Sequence, residues 1–269
     1  MSVAGKTIVL TGASSGIGAA AARQLHRLGA HVVPIGRSAQ RTAAIAAELG
    51  VAPLTADFAN LADVRRLAAD LLERCPRIDV LASNAGGLWP RRTQTIDDNE
   101  ITFQVNVLAP YLLTRLLTER LRASNGRIIV TSSHAHYWIR LNLDDLSNAR
   151  AAWPRLYATS KLASALLTRE YARRHPELGV ADFHPGFVAT SLARGVPLVG
   201  YLAETPLRHL LPGPDRGART LVYLAGTGDR LDGGYYADCR PARLGKAATD
   251  PLVARKLWEI CARLVGLPA

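Results

Sequence analysis

Cysteine is scarce in this sequence, with three residues among 269. Cys75, Cys239 and Cys261 are odd in number, lie far apart and lack the close spacing typical of metal ligands. A disulfide framework and a cysteine-based metal site are therefore both disfavoured. We expect three inert thiols in a protein of the reducing cytoplasm, with no bound metal.

Long hydrophobic runs are also missing. No segment approaches the roughly 20 consecutive apolar residues that a membrane-spanning helix requires. Residues Met1–Lys6 lead directly into a strand-like segment and lack the apolar stretch of a signal peptide. The sequence thus predicts no membrane span and a cytoplasmic location.

Acidic residues are in the minority, because 22 of them stand against 33 basic residues and leave a formal net charge of +11. The basic residues are scattered, and their densest groups are the pairs Arg65–Arg66, Arg91–Arg92 and Arg173–Arg174. Nucleic-acid-binding segments carry denser basic patches or a recognisable motif. We therefore predict no nucleic-acid partner and interpret the charge as scattered surface arginine.

The rest of the composition is that of a globular protein with a substantial core, 48% hydrophobic and 20% charged. Short apolar segments alternate with segments of helical length. Such strands pair in parallel through right-handed crossovers, with helices on both faces of the sheet. The sequence predicts an α/β fold in which residues 1–269 form one domain, a Rossmann-type doubly wound parallel sheet. The predicted strands are 7–10, 30–35, 51–55, 79–83, 127–131 and 180–183, and the predicted helices are 17–28, 39–49, 61–75, 100–121 and 157–174.

Two long stretches interrupt this alternation, residues 134–156 and residues 191–214. Long connections beyond strand ends in such folds usually build the ligand pocket. We predict that both insertions line a mainly apolar substrate pocket; an ordinary surface excursion is the alternative. The first insertion contains the candidate substrate contacts His134, His136, Trp138 and Trp153.

A glycine-rich turn, Thr11–Gly18, lies between the first predicted strand and the first predicted helix. Gly12 would permit a sharp exit from the strand, Gly16 would let the backbone approach a pyrophosphate, and Gly18 would let the helix pack tightly on the sheet. The N–H groups at the start of the helix would then meet the phosphates. The order of strand, turn and helix predicts a dinucleotide site.

The end of the second strand indicates which dinucleotide binds. An NAD site places a carboxylate there to bind the ribose hydroxyls. The sequence instead reads Ile35–Ser38, with Arg37 and no acidic residue. Because a guanidinium binds a phosphate through charge-assisted hydrogen bonds, we predict NADP(H) as the cofactor.

Tyr157 and Lys161 lie four residues apart and therefore on one face of a predicted helix. A phenol ionises near pH 10, and a neighbouring ammonium would lower that pKa toward neutral values. Upstream, the strand 127–131 is followed by Ser132 and Ser133, at the sheet edge where ligands bind in this architecture. Together with the glycine turn, these residues predict an acid–base site beside a bound dinucleotide.

With these motifs the chain resembles the short-chain dehydrogenase/reductase family over nearly its whole length. The glycine turn and the Tyr157–Lys161 pair match two family motifs, and the active-site serine matches Ser133 better than Ser132. The resemblance implies a catalytic set of Asn106, Ser133, Tyr157 and Lys161. It implies cofactor contacts from Gly12, Ser14, Ser15, Gly16, Ile17, Gly18, Arg37, Asp57, Phe58, Asn84, Ala85, Gly86, Tyr157, Lys161, Pro185, Gly186, Val188 and Thr190.

A branch of the family can also be named. The 24 positions from Ser133 to Tyr157 are about twice the usual gap, and the segments Gly234–Cys239 and Lys256–Glu259 are similar to the retinol dehydrogenase and WW-domain oxidoreductase-like branch. Two positions depart from the usual pattern. Ser83 stands where the family usually has asparagine, and Pro34 falls inside the second predicted strand.

The resemblance implies hydride transfer between a nicotinamide and a carbonyl or alcohol carbon. Tyr157 would exchange the proton of the substrate oxygen, Ser133 would hydrogen-bond that oxygen, and Lys161 would hold the ribose and lower the phenol pKa. Asn106 would hold a water near Lys161. We expect an NADP-dependent oxidoreductase of a small-molecule carbonyl or alcohol, and a homo-oligomer, dimer or tetramer. The alternative is a module that senses NADP without chemistry.

Overall fold

We describe the computed structural model of the protein over residues 2–146, 151–186 and 213–269. Over these residues the chain forms one eight-stranded sheet with helices packed on it. The strands are β1 (Thr7–Thr11), β2 (His31–Gly36), β3 (Leu54–Thr55), β4 (Val80–Ser83), β5 (Arg127–Thr131), β6 (Gly179–His184), β7 (Asp232–Ala237) and β8 (Arg240–Pro241). The helices are α1 (Gly16–Arg27), α2 (Ala39–Leu49), α3 (Leu61–Arg74), α4 (Ile101–Phe103), α5 (Ala109–Ala123), α6 (Trp153–Arg174), α7 (Pro214–Gly226) and α8 (Pro251–Leu264).

The strand order is β3-β2-β1-β4-β5-β6-β7-β8, and every pair from β3 to β7 is parallel. The chain moves outward in one direction from β1 to β3 and then returns to place β4 on the other side of β1. Ligands bind at such a switch point, outside the carboxyl ends of the strands. The predicted doubly wound parallel sheet is therefore confirmed.

Two apolar cores cover opposite faces of the sheet. Because side chains alternate along a strand, Val9 of β1 joins one core while its neighbours Ile8 and Leu10 join the other. The first core includes residues of α3, α5, α6 and α8, and the second includes residues of α1, α2 and α7. This double burial explains why the strands read as continuous apolar runs.

The helix predicted over residues 100–121 departs from regular geometry. A five-residue π-helical turn, Gln104–Leu108, lies between α4 and α5 and contains Asn106 at its centre. Such turns widen the helix by one residue and are frequent at functional sites. Hydrophobic periodicity does not reveal them, because the apolar positions on either side still repeat at helical spacing.

The last strand is the exception to parallel pairing. β8 pairs antiparallel with β7 through a two-residue turn, Asp238 and Cys239, with φ of 46° and 62°. Positive φ at both positions defines the type I′ turn, which suits the twist of a hairpin. The Gly234–Cys239 segment that resembles the retinol dehydrogenase branch thus forms most of this hairpin.

The proline inside β2 is accommodated by the short neighbouring strand. The His31 N–H donates to the Lys6 carbonyl on the β1 side, and the Gly36 carbonyl accepts from the Ala56 N–H on the β3 side. Since successive residues face opposite edges, Pro34 faces the β3 side. β3 is in register only with Ile35 and Gly36, so the missing N–H of Pro34 lies where β3 has not yet begun.

The C-terminal helix α8 packs against the long helices α5 and α6. Its Trp258 ring meets the Tyr111 ring edge-on, with centroids 4.9 Å apart. The guanidinium groups of Arg115 and Arg174 lie over the same indole at 4.8 and 4.6 Å. Part of the surface of α5 and α6 is therefore covered by the C-terminal helix of the same chain.

Candidate active site

A cavity of about 820 Å³ follows the carboxyl edge of the sheet. It runs from the residues after β3 and β2, past the glycine turn after β1, to the residues after β4, β5 and β6. Of the sequence-predicted residues it is lined by Gly12, Ser14, Ser15, Gly16, Ile17, Gly18, Arg37, Asp57, Phe58, Asn84, Ala85, Gly86, Ser133, His134, Trp138, Trp153, Tyr157, Lys161, Pro185 and Gly186.

The glycine turn is packed so closely that side chains are excluded. A Cβ added to Gly18 would lie 2.1 Å from the Gly12 carbonyl oxygen, and one added to Gly12 would lie 2.9 Å from Ala85 Cα. Gly12 also has a φ of +69°, which favours glycine. The Ser15 side chain makes no capping bond at the start of α1. The N–H groups of this helix end therefore face the cavity without a side-chain cap, as an anion site requires.

The turn is tied to the rest of the sheet edge by Thr11 and Asn84. The Thr11 hydroxyl accepts from the backbone N–H groups of Asn84 and Ala85, each at 3.0 Å. The Asn84 amide donates to the Thr11 carbonyl at 3.1 Å and accepts from the Thr131 hydroxyl at 3.2 Å. Within the described part of the chain, the buried Ser83 hydroxyl has no hydrogen-bond partner. The departure at Ser83 thus leaves this network unaffected.

Two arginines line the cavity after β2. Arg37 follows the strand directly, and Arg41 lies in the first turn of α2, where its N–H bonds the capping Ser38 side chain. Both side chains are exposed. A Cβ on Gly36 would lie 2.8 Å from Ser14 Cβ, so the glycine turn packs directly against this strand end. The arrangement places two cations beside the predicted phosphate cradle.

Asp57 and Phe58 line the same cavity after β3. The Asp57 carboxylate accepts from the Ala59 N–H at 3.0 Å, and its own N–H donates to Asp63 at 3.0 Å. These bonds hold the half-buried Asp57 in a tight turn, while the Phe58 ring is buried in the core. Both residues therefore lie at the cavity end nearest β3, as expected for an adenine contact.

The predicted acid–base pair faces the other end of the cavity. Tyr157 lies in the second turn of α6 and lines the cavity together with Ser133. Burial raises the pKa of Tyr157 above its ordinary value of 10, and hydrogen bonding to Ser133 acts in the opposite direction. The sequence led us to expect a lowered pKa. In the structure the phenol is protonated at neutral pH.

Lys161 lies one turn further along α6. Its ammonium is 5.7 Å from the centre of the Tyr157 ring and donates to the Thr131 carbonyl at 2.9 Å. Burial lowers the pKa of Lys161 to about 8, against an opposing contribution from Asp182. Asp182 is itself fully buried and paired with Arg169. Lys161 is therefore mostly charged at neutral pH, and burial of this charge lowers the stability of the folded protein.

Asn106 lies behind this pair, and its side chain is engaged by protein groups. Its amide oxygen accepts from the Gly87 N–H at 2.8 Å, and its amide nitrogen donates to the Gly87 carbonyl at 2.9 Å and to the Ser160 hydroxyl at 3.1 Å. Its own carbonyl accepts from the Ser164 hydroxyl at 3.2 Å. These contacts connect the loop after β4 to helix α6, and the π-helical turn is what brings them together.

The wall next to Ser133 is aromatic. Trp89, Trp138 and Trp153 all line the cavity, which accounts for three of the four tryptophans in the chain. Trp138 is 77% exposed, an unusual environment for an indole. His134 also lines this wall and stacks on His184, with ring centroids 3.8 Å apart. Burial lowers the pKa of both histidines, that of His184 to about 4.

His136 corrects the sequence-based expectation of a substrate contact. Its side chain is completely buried and does not line the cavity within the described part of the chain. It lies behind Ser133 and bonds the backbone there. The 3-10 helix His134–Trp138 explains the difference, because residues two apart on such a turn face different directions.

Some predicted residues lie outside the described ranges. These are Val188 and Thr190, residues 147–150 of the first insertion and residues 191–212 of the second insertion.

Three charged or aromatic side chains of the cavity were missed by the sequence analysis, those of Arg41, Trp89 and His184. Arg41 had a local signal, since it stands three residues after the helix-capping Ser38. Trp89 and His184 had none beyond their position after β4 and at the end of β6. Their proximity to the site depends on the sheet order, which places these strand ends beside β5.

Among the described residues, no three metal-ligating side chains form a cluster, and no helix has the length and apolar character of a membrane span. Cys75 and Cys261 are buried, and all three cysteines are free.

Comparisons with known proteins agree with this arrangement. The family model of short chain dehydrogenase matches residues 6–197. The chain is 43% identical over 272 residues to "Putative daunorubicin C-13 ketoreductase DnrU" of Streptomyces sp. (strain C5), covering 97% of this chain and 93% of that protein. It is 38% identical to mouse retinol dehydrogenase 14, covering 98% and 86% of the two chains.

A solved structure shows the same fold with a cofactor. The short chain dehydrogenase from Burkholderia cenocepacia J2315 in complex with NADP superposes with a TM-score of 0.68 at 28% identity, covering 87% of this chain and 96% of that one. The chain belongs to the short-chain dehydrogenase/reductase family, within its retinol dehydrogenase branch. It is therefore an oxidoreductase of a nicotinamide cofactor by family.

Proposed function

We propose that the protein is an NADPH-dependent reductase of bulky, apolar ketones or aldehydes. The observation that carries this proposal is that Ser133, Tyr157 and Lys161 line one cavity with the glycine turn, with the Lys161 ammonium 5.7 Å from the centre of the Tyr157 ring. A sensor of NADP would need the turn but not these three side chains.

The residues of the cavity suit a phosphorylated dinucleotide. The glycine turn keeps its close-packed shape only because Gly12 and Gly18 carry no Cβ, and the uncapped start of α1 next to it would bind a pyrophosphate. Arg37 and Arg41 would bind a 2′-phosphate, and Asp57 and Phe58 would border the adenine. When bound, such a nucleotide supplies the hydride that reaches the substrate carbon.

The protein's own contribution is proton transfer and charge stabilisation. Tyr157 donates its phenolic proton to the carbonyl oxygen, for which the protonated form is needed. Ser133 hydrogen-bonds the same oxygen as negative charge develops there. Lys161 stabilises the phenolate that results and binds the cofactor ribose. Asn106 keeps the loop at Gly87 in place beside helix α6.

The aromatic wall favours a large substrate. Trp89, Trp138 and Trp153 offer extended apolar surfaces on which a planar ring system would stack. Two of the relatives carry the names of bulky compounds, daunorubicin in one and retinol in the other. We therefore place aromatic polycyclic ketones first among the candidate substrates.

The test is NADPH oxidation with a panel of ketones and aldehydes of increasing size. We expect turnover by the wild type and a loss of roughly 10³-fold in kcat for Tyr157→Phe, with NADPH binding retained. Tyr223→Phe is the matched control, because that phenol bonds Asp229 on the surface and does not line the cavity. NADPH binding without turnover for every compound would favour the sensor.

A further inference from the structure

His136 occupies an unusual position for a polar side chain. It is fully buried, yet both of its ring nitrogens have partners in the described structure. Nδ1 lies 2.6 Å from the Ser133 carbonyl oxygen, and Nε2 lies 3.2 Å from the Gly245 backbone nitrogen. Ser133 follows β5, whereas Gly245 follows β8, so the imidazole joins two segments more than a hundred residues apart in sequence.

The two partners determine the protonation of the ring. A backbone N–H can only donate, so Nε2 of His136 must be the unprotonated nitrogen. Nδ1 then carries the hydrogen and donates it to the Ser133 carbonyl. Burial lowers the pKa of His136, against an opposing effect of the Ser133 carbonyl and of Asp182. The imidazole is therefore neutral, with a single tautomer.

Packing holds the ring in this orientation. His136 stacks on the Tyr137 ring at 4.3 Å and meets the Tyr235 ring edge-on at 5.1 Å. A Cβ on Gly245 would lie 3.2 Å from His136 Cδ2 and 3.3 Å from Tyr137 Cα, so the glycine permits the close approach. The ring therefore has little freedom to move away from Ser133.

The Ser133 peptide depends on this contact more than on its helix. The backbone N–H of His136 also points at the Ser133 carbonyl, but at 3.4 Å, near the limit of a hydrogen bond. The imidazole contact at 2.6 Å is the shorter and stronger one. The Ser133 hydroxyl accepts from the Ala135 N–H at 3.3 Å, so it is held against the first turn of the same short helix. The imidazole contact fixes the Ser133 peptide relative to this turn, and with it the direction in which the hydroxyl points.

We infer that His136 is a positioning residue, whose Nδ1–H bond to the Ser133 carbonyl holds the Ser133 hydroxyl against Tyr157. The inference rests on the proposed function for its effect on turnover, though not for its effect on geometry. We expect loss of this bond to reduce turnover, because displacement of a catalytic group by about 1 Å can reduce turnover by roughly 10²-fold.

Two isosteric variants separate the two hydrogen bonds. The amide nitrogen of His136→Asn takes the place of Nδ1 and keeps the donor to Ser133, while the amide oxygen of His136→Gln takes the place of Nε2 and keeps the acceptor for Gly245. We expect kcat within about 3-fold of wild type for the Asn variant and a loss of roughly 10- to 100-fold for the Gln variant. NADPH affinity should be unchanged in both, and Tyr137→Phe, which removes a neighbouring hydroxyl only, should leave kcat unchanged.

A double-mutant cycle gives the decisive readout. If His136 acts through Ser133, the Gln variant should cost nothing further in a Ser133→Ala background. The inference would be overturned if the losses in kcat from the Gln variant and from Ser133→Ala multiplied in the double variant. It would also be overturned by equal losses in the Asn and Gln variants, by a Gln variant as active as wild type, or by failure of both variants to fold.

A fluorotyrosine at position 157 gives a test without turnover: its fluorine NMR signal should shift in the Gln variant and stay near wild type in the Asn variant. Absence of wild-type turnover with this pattern intact would instead contradict the proposed function.

Discussion

The two ends of the cavity are formed by different kinds of groups, backbone at one end and polar side chains at the other. At the nucleotide end, the glycine turn is formed by close backbone packing, and no side chain fits at Gly12 or Gly18. At the reaction end, the site is formed by the polar side chains of Ser133, Tyr157 and Lys161. Burial raises the pKa of Tyr157 and lowers that of Lys161. The first end is close-packed backbone; the second is a set of polar groups withdrawn from water.

This difference shows that the nucleotide end stabilises the fold, whereas the reaction end destabilises it. Close backbone packing stabilises the fold, so a substitution there should reduce both stability and function. Buried ionisable groups are costly to fold, so a neutral substitution should reduce function while leaving stability equal or higher. Four substitutions can break or sharpen this contrast.

The largest effect on stability is expected for Gly18→Ala. The new methyl group would lie 2.1 Å from the Gly12 carbonyl oxygen, a backbone atom that cannot move without displacing the turn. We expect the free energy of unfolding to fall by about 3 kcal/mol and NADPH binding to be lost. Chemical denaturation and NADPH fluorescence measure both.

The matched control for this glycine is Gly228→Ala. No atom lies within 4 Å of the added Cβ at that position. It should leave stability within about 0.5 kcal/mol of wild type and NADPH binding unchanged. Equal stability of the two alanine variants would show that the turn is not packed as described.

The second substitution, Lys161→Met, should have the opposite sign for stability. The folded pKa is about 8 and the reference value is 10.5, so between these values the unfolded chain binds more protons and stability rises with pH. Below pH 8 the full cost of the buried charge, at most about 3 kcal/mol, is present. We expect the methionine variant to be inactive yet as stable as wild type or more so at pH 7.

The pH dependence provides the check on this lysine. The stability difference between Lys161→Met and wild type should shrink as pH rises from 8 toward 10.5, because the wild-type lysine then loses its proton in the folded state. Urea unfolding of both proteins at several pH values measures it. A difference that is constant with pH would contradict the assigned pKa shift.

The third substitution, Arg37→Ala, tests the nucleotide end without touching the packing. The side chain is exposed, so stability should change little. Loss of a charge-assisted bond to a phosphate should raise KM for NADPH by roughly 10- to 100-fold and leave KM for NADH nearly unchanged. Arg240→Ala, an exposed arginine on β8, is the control. Equal effects on both nucleotides would exclude a 2′-phosphate contact.

The smallest effect is expected for Trp138→Ala at the reaction end. Its indole is 77% exposed, so stability should change by less than about 0.5 kcal/mol. We expect KM to rise severalfold for a polycyclic ketone, an effect of about 1 kcal/mol, and to stay constant for a small one. Leu252→Ala, 69% exposed on α8, is the control. An equal change for both ketones would place the indole outside the substrate contacts.

Much of this fold was predictable because its signals are local. The strand–helix alternation and the glycine turn lie within short segments of sequence, and the predicted strands and helices lie within a few residues of their observed bounds. Misjudged features had tertiary causes. The π-helical turn around Asn106 follows from contacts with Gly87 and Ser160, and the start of α6 at Trp153 belongs to the cavity wall.

The site divides in the same way. The sequence by itself determined the phosphate-binding turn, the Tyr157–Lys161 pair and the family, because each depends on residues at fixed short spacing. Only the tertiary structure decided that burial raises the pKa of Tyr157, that His136 lies behind Ser133, and that three tryptophans line one cavity. Burial and long-range hydrogen bonds set these properties, and both arise only when distant segments pack together.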